Sequence, residues 1–164
     1  MEGRLRSVTR KRQAAQIGDV IEMETSTGPG YLQVTHVDPK YGHLLRALPG
    51  TYAEERPPLS DLVKMDEAFV TFFPLDAALS RGLVRVAGNE PVPKKNRRYP
   101  RFLMQGIVAP GSEAQNWWLW DGKKEARLGA LRPEHEKLPI LEVVNDTVIR
   151  ERLERGWRTG EPET

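Results

Sequence analysis

His36, His43 and His135 are the only histidines in the 164 residues, and cysteine is absent. Histidine is therefore the one side-chain type here whose ordinary titration falls near neutrality. Disulfides, thiolate catalysis and thiolate metal sites are excluded. His36, Asp38 and His43 flank a single turn. Two imidazoles and a carboxylate are the donor types of a zinc or iron site. Geometry rather than donor supply decides metal binding, and the preferred reading of these residues is local hydrogen bonding around the turn, with no metal and no cofactor. The serines (Ser7, Ser26, Ser60, Ser80, Ser112) include none in a Gly-x-Ser-x-Gly elbow. Gly28-Pro29-Gly30 lacks the spacing of a dinucleotide or phosphate loop. The carboxylate pairs Glu22/Glu24, Glu54/Glu55 and Glu134/Glu136 read as solvated faces, since a glycosidase needs its pair across a sugar-sized cleft. No catalytic residue is assigned, and a non-enzyme is expected.

Binding chemistry is better supplied. The net charge of +2 hides a division. Residues 1–16 carry Arg4, Arg6, Arg10, Lys11 and Arg12 against Glu2, and residues 85–101 carry Arg85, Lys94, Lys95, Arg97, Arg98 and Arg101 against Glu90. The rest of the chain is net acidic. Both basic segments could neutralise phosphates, and Tyr99 and Phe102 beside the second could stack on bases. A nucleic-acid-binding accessory protein using the arm and the 94–101 loop is the alternative reading. Trp117, Trp118 and Trp120 fall within one strand, with Trp118 and Trp120 on a common face. Tryptophan exposed on a sheet favours protein contact; covered on both faces, all three are core, which the need of Trp157 and a C-terminal helix for a packing surface favours. Candidate partner-contact residues are Trp117, Trp118, Trp120, Tyr52 in the Pro49–Pro58 loop, and Arg97, Arg98 and Tyr99 in the 91–101 loop.

These residues must be positioned by short strands. The 14 glycines and 13 prolines favour turns over long helices. Alternation predicts strands over Asp19–Glu24, Tyr31–Val37 and His43–Leu48, joined by turns at Gly28–Gly30 and Asp38–Gly42. In the first, Ile21 and Met23 oppose Glu22 and Glu24. In the second, Leu32 and Val34 point inward and Tyr31 and Gln33 outward. A helical turn over Leu59–Met65 opened by Ser60, a buried strand over Ala68–Phe73, a helix over Leu75–Arg81 and a strand over Leu83–Ala87 follow. Further strands are predicted over Arg101–Val108, Gln115–Trp120, Lys123–Leu128 and Pro139–Val144. Asp121-Gly122 reads as a two-residue type I′ turn. Asn145 or Asp146 caps a helix over 146–155 ended by Gly156, with Ile149, Leu153 and Trp157 as its apolar stripe.

The fold class is mainly β (α+β): an SH3-like small barrel or curved antiparallel sheet with a C-terminal helix. The organisation expected is a flexible basic arm (1–16), one β-rich domain (17–158) and a polar tail (159–164). No apolar run approaches the roughly 18 residues of a membrane span, and Arg4–Arg12 is not followed by an apolar secretory core. A cytoplasmic location without membrane partners is expected.

Ile17-Gly18-Asp19-Val20-Ile21, the glycine turn and Tyr31-Leu32-Gln33-Val34 resemble the opening of the immunity protein 26 family. Asn116-Trp117-Trp118-Leu119-Trp120-Asp121-Gly122 and the run from Leu138-Pro139 through Asn145-Asp146-Thr147 to Gly156-Trp157 resemble it also. The resemblance covers most of residues 16–158; the basic arm and the 91–101 loop fall outside it. It implies a non-enzymatic bacterial immunity protein that binds and blocks a cognate toxin of a polymorphic toxin system, and it supplies no catalytic residues.

Overall fold

The computed structural model describes residues 14–112 and 115–163; most of the basic arm lies outside them. The predicted meander is present as β1 (Asp19–Met23), β2 (Gly30–Asp38) and β3 (Gly42–Thr51). Strand β4 (Phe69–Phe73) pairs with β3, and β5 (Arg85–Asn89) with β1. The result is a five-stranded antiparallel sheet of order β4-β3-β2-β1-β5. Its edge strands are β4 and β5, so the sheet is open. Strands β6 (Phe102–Gln105), β7 (Trp117–Trp120) and β8 (Glu125–Gly129) form a second antiparallel sheet. Three α-helices accompany them among the described residues: α1 (Leu59–Leu62), α2 (Leu75–Ser80) and α3 (Asp146–Arg155). The mainly β expectation holds.

Both faces of the larger sheet are covered. On one, Ile21, Leu32, Val34, Leu45 and Phe73 pack with Leu75 and Leu79 of α2 and Ile149 and Leu153 of α3. On the other, Val20, Tyr31 and Leu48 pack with Leu62 of α1, and Leu44 and Phe72 meet Phe102 of β6. The alternation on β2 therefore misleads: Tyr31 and Gln33, expected outward, are 2% and 0% exposed. An antiparallel sheet has a wet face only when nothing packs there, and here α1 and the second sheet do.

Helix α3 matches its local signals. The Asn145 side chain accepts from Val148 N at 3.0 Å, and Gly156 leaves the helix at φ +66°, the left-handed conformation glycine takes without penalty. Trp157 follows the helix and meets Phe69 edge-on, with centroids 5.4 Å apart. Its packing surface is thus β4, not the tryptophans of β7.

Three local expectations fail. Helix α1 is entered from Pro58 without a side-chain cap, so Ser60 does not open it. The β7–β8 turn spans four residues, with Trp120 opposite Glu125. Asp121 Oδ1 accepts from Lys123 N (2.9 Å) and Lys124 N (2.8 Å), and only Gly122 has positive φ (+97°). A type I′ turn needs two such residues; the aspartate instead closes the turn through its side chain. Finally, Pro139–Val144 belongs to neither sheet. It runs parallel to both, exchanging hydrogen bonds with Leu103 of β6 through Pro139 O and Leu141 N (both 2.8 Å) and with Phe72 of β4 through Glu142 O (3.2 Å) and Val144 N (3.1 Å).

Candidate functional site

Arg46 sits in the apolar run of β3, and alternation puts it on the face of Leu44 and Leu48. Its side chain is fully buried. A buried guanidinium must be surrounded by acceptors to remain charged. Nε donates to Gln33 Oε1 (3.0 Å), directly across the β2–β3 pair. Nη1 donates to Met65 O (3.0 Å) and Glu67 Oε1 (3.3 Å), and Nη2 donates to Val63 O. Gln33 Nε2 passes the network on to Glu90 O (2.9 Å). Burial holds Arg46 below the ordinary arginine value, against the opposing charge and hydrogen bond of Glu67. Glu67 Oε1 also accepts from Asn96 Nδ2 (2.9 Å), which fixes the 94–101 loop against the sheet.

Arg46, Glu67 and Asn96 lie on the wall of a cleft of about 670 Å³. Its other walls are the 98–101 stretch, the Lys137–Pro139 segment and residues 158–161. Six cationic side chains line it (Arg46, Lys95, Arg98, Arg101, Lys137 and Arg158), against two carboxylates, Glu67 and Glu161. Lys95 is paired with Asp66. Arg98, Arg101, Lys137 and Arg158 are exposed, and their side chains have no hydrogen bond or ion pair among the described residues. Four cations without ion pairs, against the Glu161 carboxylate, thus surround one concavity, a net concentration of positive charge.

The residues singled out in the sequence divide. Arg98 and Tyr99 line this cleft. Arg97 is exposed, but its Nε donates to Val92 O (3.0 Å) and its carbonyl bonds His36 Nε2 (2.9 Å). The Tyr99 hydroxyl donates to Asp38 Oδ2 (2.9 Å), and its ring meets Trp120 and His36 edge-on at 5.6 and 5.0 Å. Burial and then the Asp38 bond push the Tyr99 phenol well up. For Asp38, burial alone would raise the carboxyl; hydrogen bonds from Tyr41 N and Lys40 N, with Tyr99 behind them, outweigh it and hold the group below its ordinary value. Trp120 is half-buried in an aromatic cluster with Tyr41, Tyr99 and Phe102 that joins the two sheets. Trp117 and Trp118 are half-buried further along β7. Tyr52 lies elsewhere, packed near Tyr31 with its hydroxyl on Pro49 O (3.2 Å).

The histidines do not converge. His36 bonds Thr35 and Arg97, His43 Nε2 bonds Ala15 O (3.2 Å), and His135 Nδ1 accepts from Arg132 N (3.2 Å). Among the described residues no three of His, Asp and Glu form a metal-sized cluster. Arg46, Glu67, Lys137 and Arg158 were not singled out from the sequence. Only Arg46 carries a local signal, a lone charge inside the apolar His43–Leu48 run; the others are brought together by chain segments far apart. Comparison with protein-family models, curated proteins and solved structures finds no match to this chain.

Proposed function

We propose that this chain is a non-enzymatic binding protein that neutralises a cognate bacterial toxin by surface complementarity. The observation that carries the reading is the division of labour at the cleft. Two groups capable of acid–base chemistry nearby are held in structural bonds, His36 to Arg97 and Asp38 to Tyr99, and Glu67 is ion-paired to Arg46 through Oε1. The rim carries a ring of four unpaired cations, suited to recognising an acidic surface. The resemblance of the β1–β2, β7 and α3 sequences to immunity proteins points the same way. Co-expression with effector domains encoded beside its gene tests it. Rescue of growth, with direct binding of the rescued effector, is expected; failure to bind any such domain refutes it.

The nucleic-acid reading is favoured by the same cations. It loses its stacking partners, however: Tyr99 is pinned by Asp38, and Phe102 is fully buried. Single-strand binding without available aromatic faces rests on phosphate contacts alone. A titration without affinity for DNA or RNA at low salt removes it.

A further inference from the structure

The cleft has acceptors on its wall as well as cations at its rim. Glu67 uses Oε1 for both Arg46 and Asn96, and its side chain remains 29% exposed. Its Oε2 has no hydrogen bond among the described residues. Beside it, Asn96 Oδ1 is shut off from solvent and has no donor. Turning the amide over would not help, because it would set the oxygen against the Glu67 carboxylate. The rim asks for negative charge, while the wall asks for hydrogen-bond donors.

A phosphodiester chain meets only the first demand. Its phosphates carry acceptors alone, so each one set against the wall meets the Glu67 carboxylate with no donor to offer it. A polypeptide rich in Asp and Glu meets both. Its side-chain carboxylates suit Arg98, Arg101, Lys137 and Arg158, which match the planar and point-charge recognition of carboxylates. Its backbone N–H groups, one per residue, are donors for the wall. We propose that the cleft is a docking groove for an extended acidic segment of a partner protein, with carboxylates on the four rim cations and a backbone donor toward Glu67 Oε2. This rests on the protein-binding reading above and names the part of the partner recognised.

The test uses the full chain and two fluorescent probes, a short peptide of alternating glutamate and glycine and an oligothymidylate of matched charge. The cleft variant is Arg98→Glu with Arg158→Glu. The control, Lys123→Glu with Lys124→Glu, makes the same charge change on the exposed β7–β8 turn. The expected result is peptide binding that weakens with added salt, falls about tenfold or more in the cleft variant and stays within about twofold in the control. Unchanged melting curves show that the variants are folded. Equal loss in both variants reduces the effect to net charge and overturns the groove. Tighter binding of the oligonucleotide, lost in the cleft variant, assigns the cleft to nucleic acid and overturns it also, as does the absence of binding by either probe. Rescue by co-expression separates the two levels. Rescue that survives in the cleft variant leaves toxin neutralisation standing and removes the groove. Absence of rescue by the wild type, with cleft-dependent peptide binding, does the reverse.

Discussion

Replacing Arg46 by methionine keeps most of the stem volume and removes the guanidinium. Four acceptors lose a donor: Gln33 Oε1, Val63 O, Met65 O and Glu67 Oε1. The bonds to Gln33 and Val63 are buried, whereas those to Met65 and Glu67 are partly accessible from the cleft. Each buried acceptor left unsatisfied costs about 1–3 kcal/mol, and water can reach the other two. The expected loss is therefore about 3–5 kcal/mol, the range for removing one partner of a buried charge pair. For a chain of this size that corresponds to a melting temperature lower by roughly 6–20 °C. Glu67→Gln is the contrasting change. It keeps an oxygen for Arg46 and Asn96 and alters a side chain already 29% exposed, so about 1 kcal/mol is expected. Urea unfolding of the three proteins followed by tryptophan fluorescence gives both differences. The Met variant falling within about 1 kcal/mol of wild type would refute the account of Arg46 as the anchor of the cleft wall. So would a Gln variant as unstable as the Met variant.

Trp120→Ala should destabilise by about 2–4 kcal/mol, because it opens the aromatic cluster between the sheets. Trp117→Ala should cost visibly less in the same thermal melt; equal losses would contradict the different packing of the two rings. Asp38 has its folded-state carboxyl held low, so its contribution is complete above the ordinary aspartate range, near pH 4, and is lost as pH falls through the lower folded value. Asp38→Asn should thus be less stable than wild type at neutral pH, with the gap closing on acidification below about pH 4; a gap that widens in acid reverses the assignment. Asn145→Ala removes the cap on Val148 N and should cost about 1 kcal/mol. Gly156→Ala, at φ +66° with open space around it, should cost about the same through backbone strain alone. Hydrogen exchange should show both confined mainly to α3.

What could be read from the chain was what adjacent residues decide. The β1–β3 meander follows from alternation broken by Gly28–Gly30 and Asp38–Gly42, and α3 from Asn145, Gly156 and the spacing of Ile149 and Leu153. What could not be read was which faces are covered, because that depends on segments far away in sequence. Tyr31 and Gln33 look solvent-facing until α1 and the second sheet are placed over them. Asp121-Gly122 signals a turn correctly, but its type was decided by the aspartate side chain bonding forward to Lys123 and Lys124. The candidate site was half legible: Arg98 and Tyr99 were in view within the basic loop. Lys137 and Arg158 were not, since they reach the cleft only through the Leu138–Val144 connector and the turn after α3.

That connector has a consequence for the order of folding. Residues 139–144 complete the pairing of Phe72 in β4 and Leu103 in β6, and α3 then covers the sheet with Ile149 and Leu153. As the chain emerges from the ribosome, each of these strands therefore has one side that waits for a segment made well after it. In that interval β4, already paired with β3 on one side, presents Phe69, Phe72 and Phe73 at an uncovered sheet edge, the kind of apolar edge that invites association with other chains. The interval ends only with residues 137–158, so one late stretch both covers the outer side of β4 and completes the cation ring of the cleft.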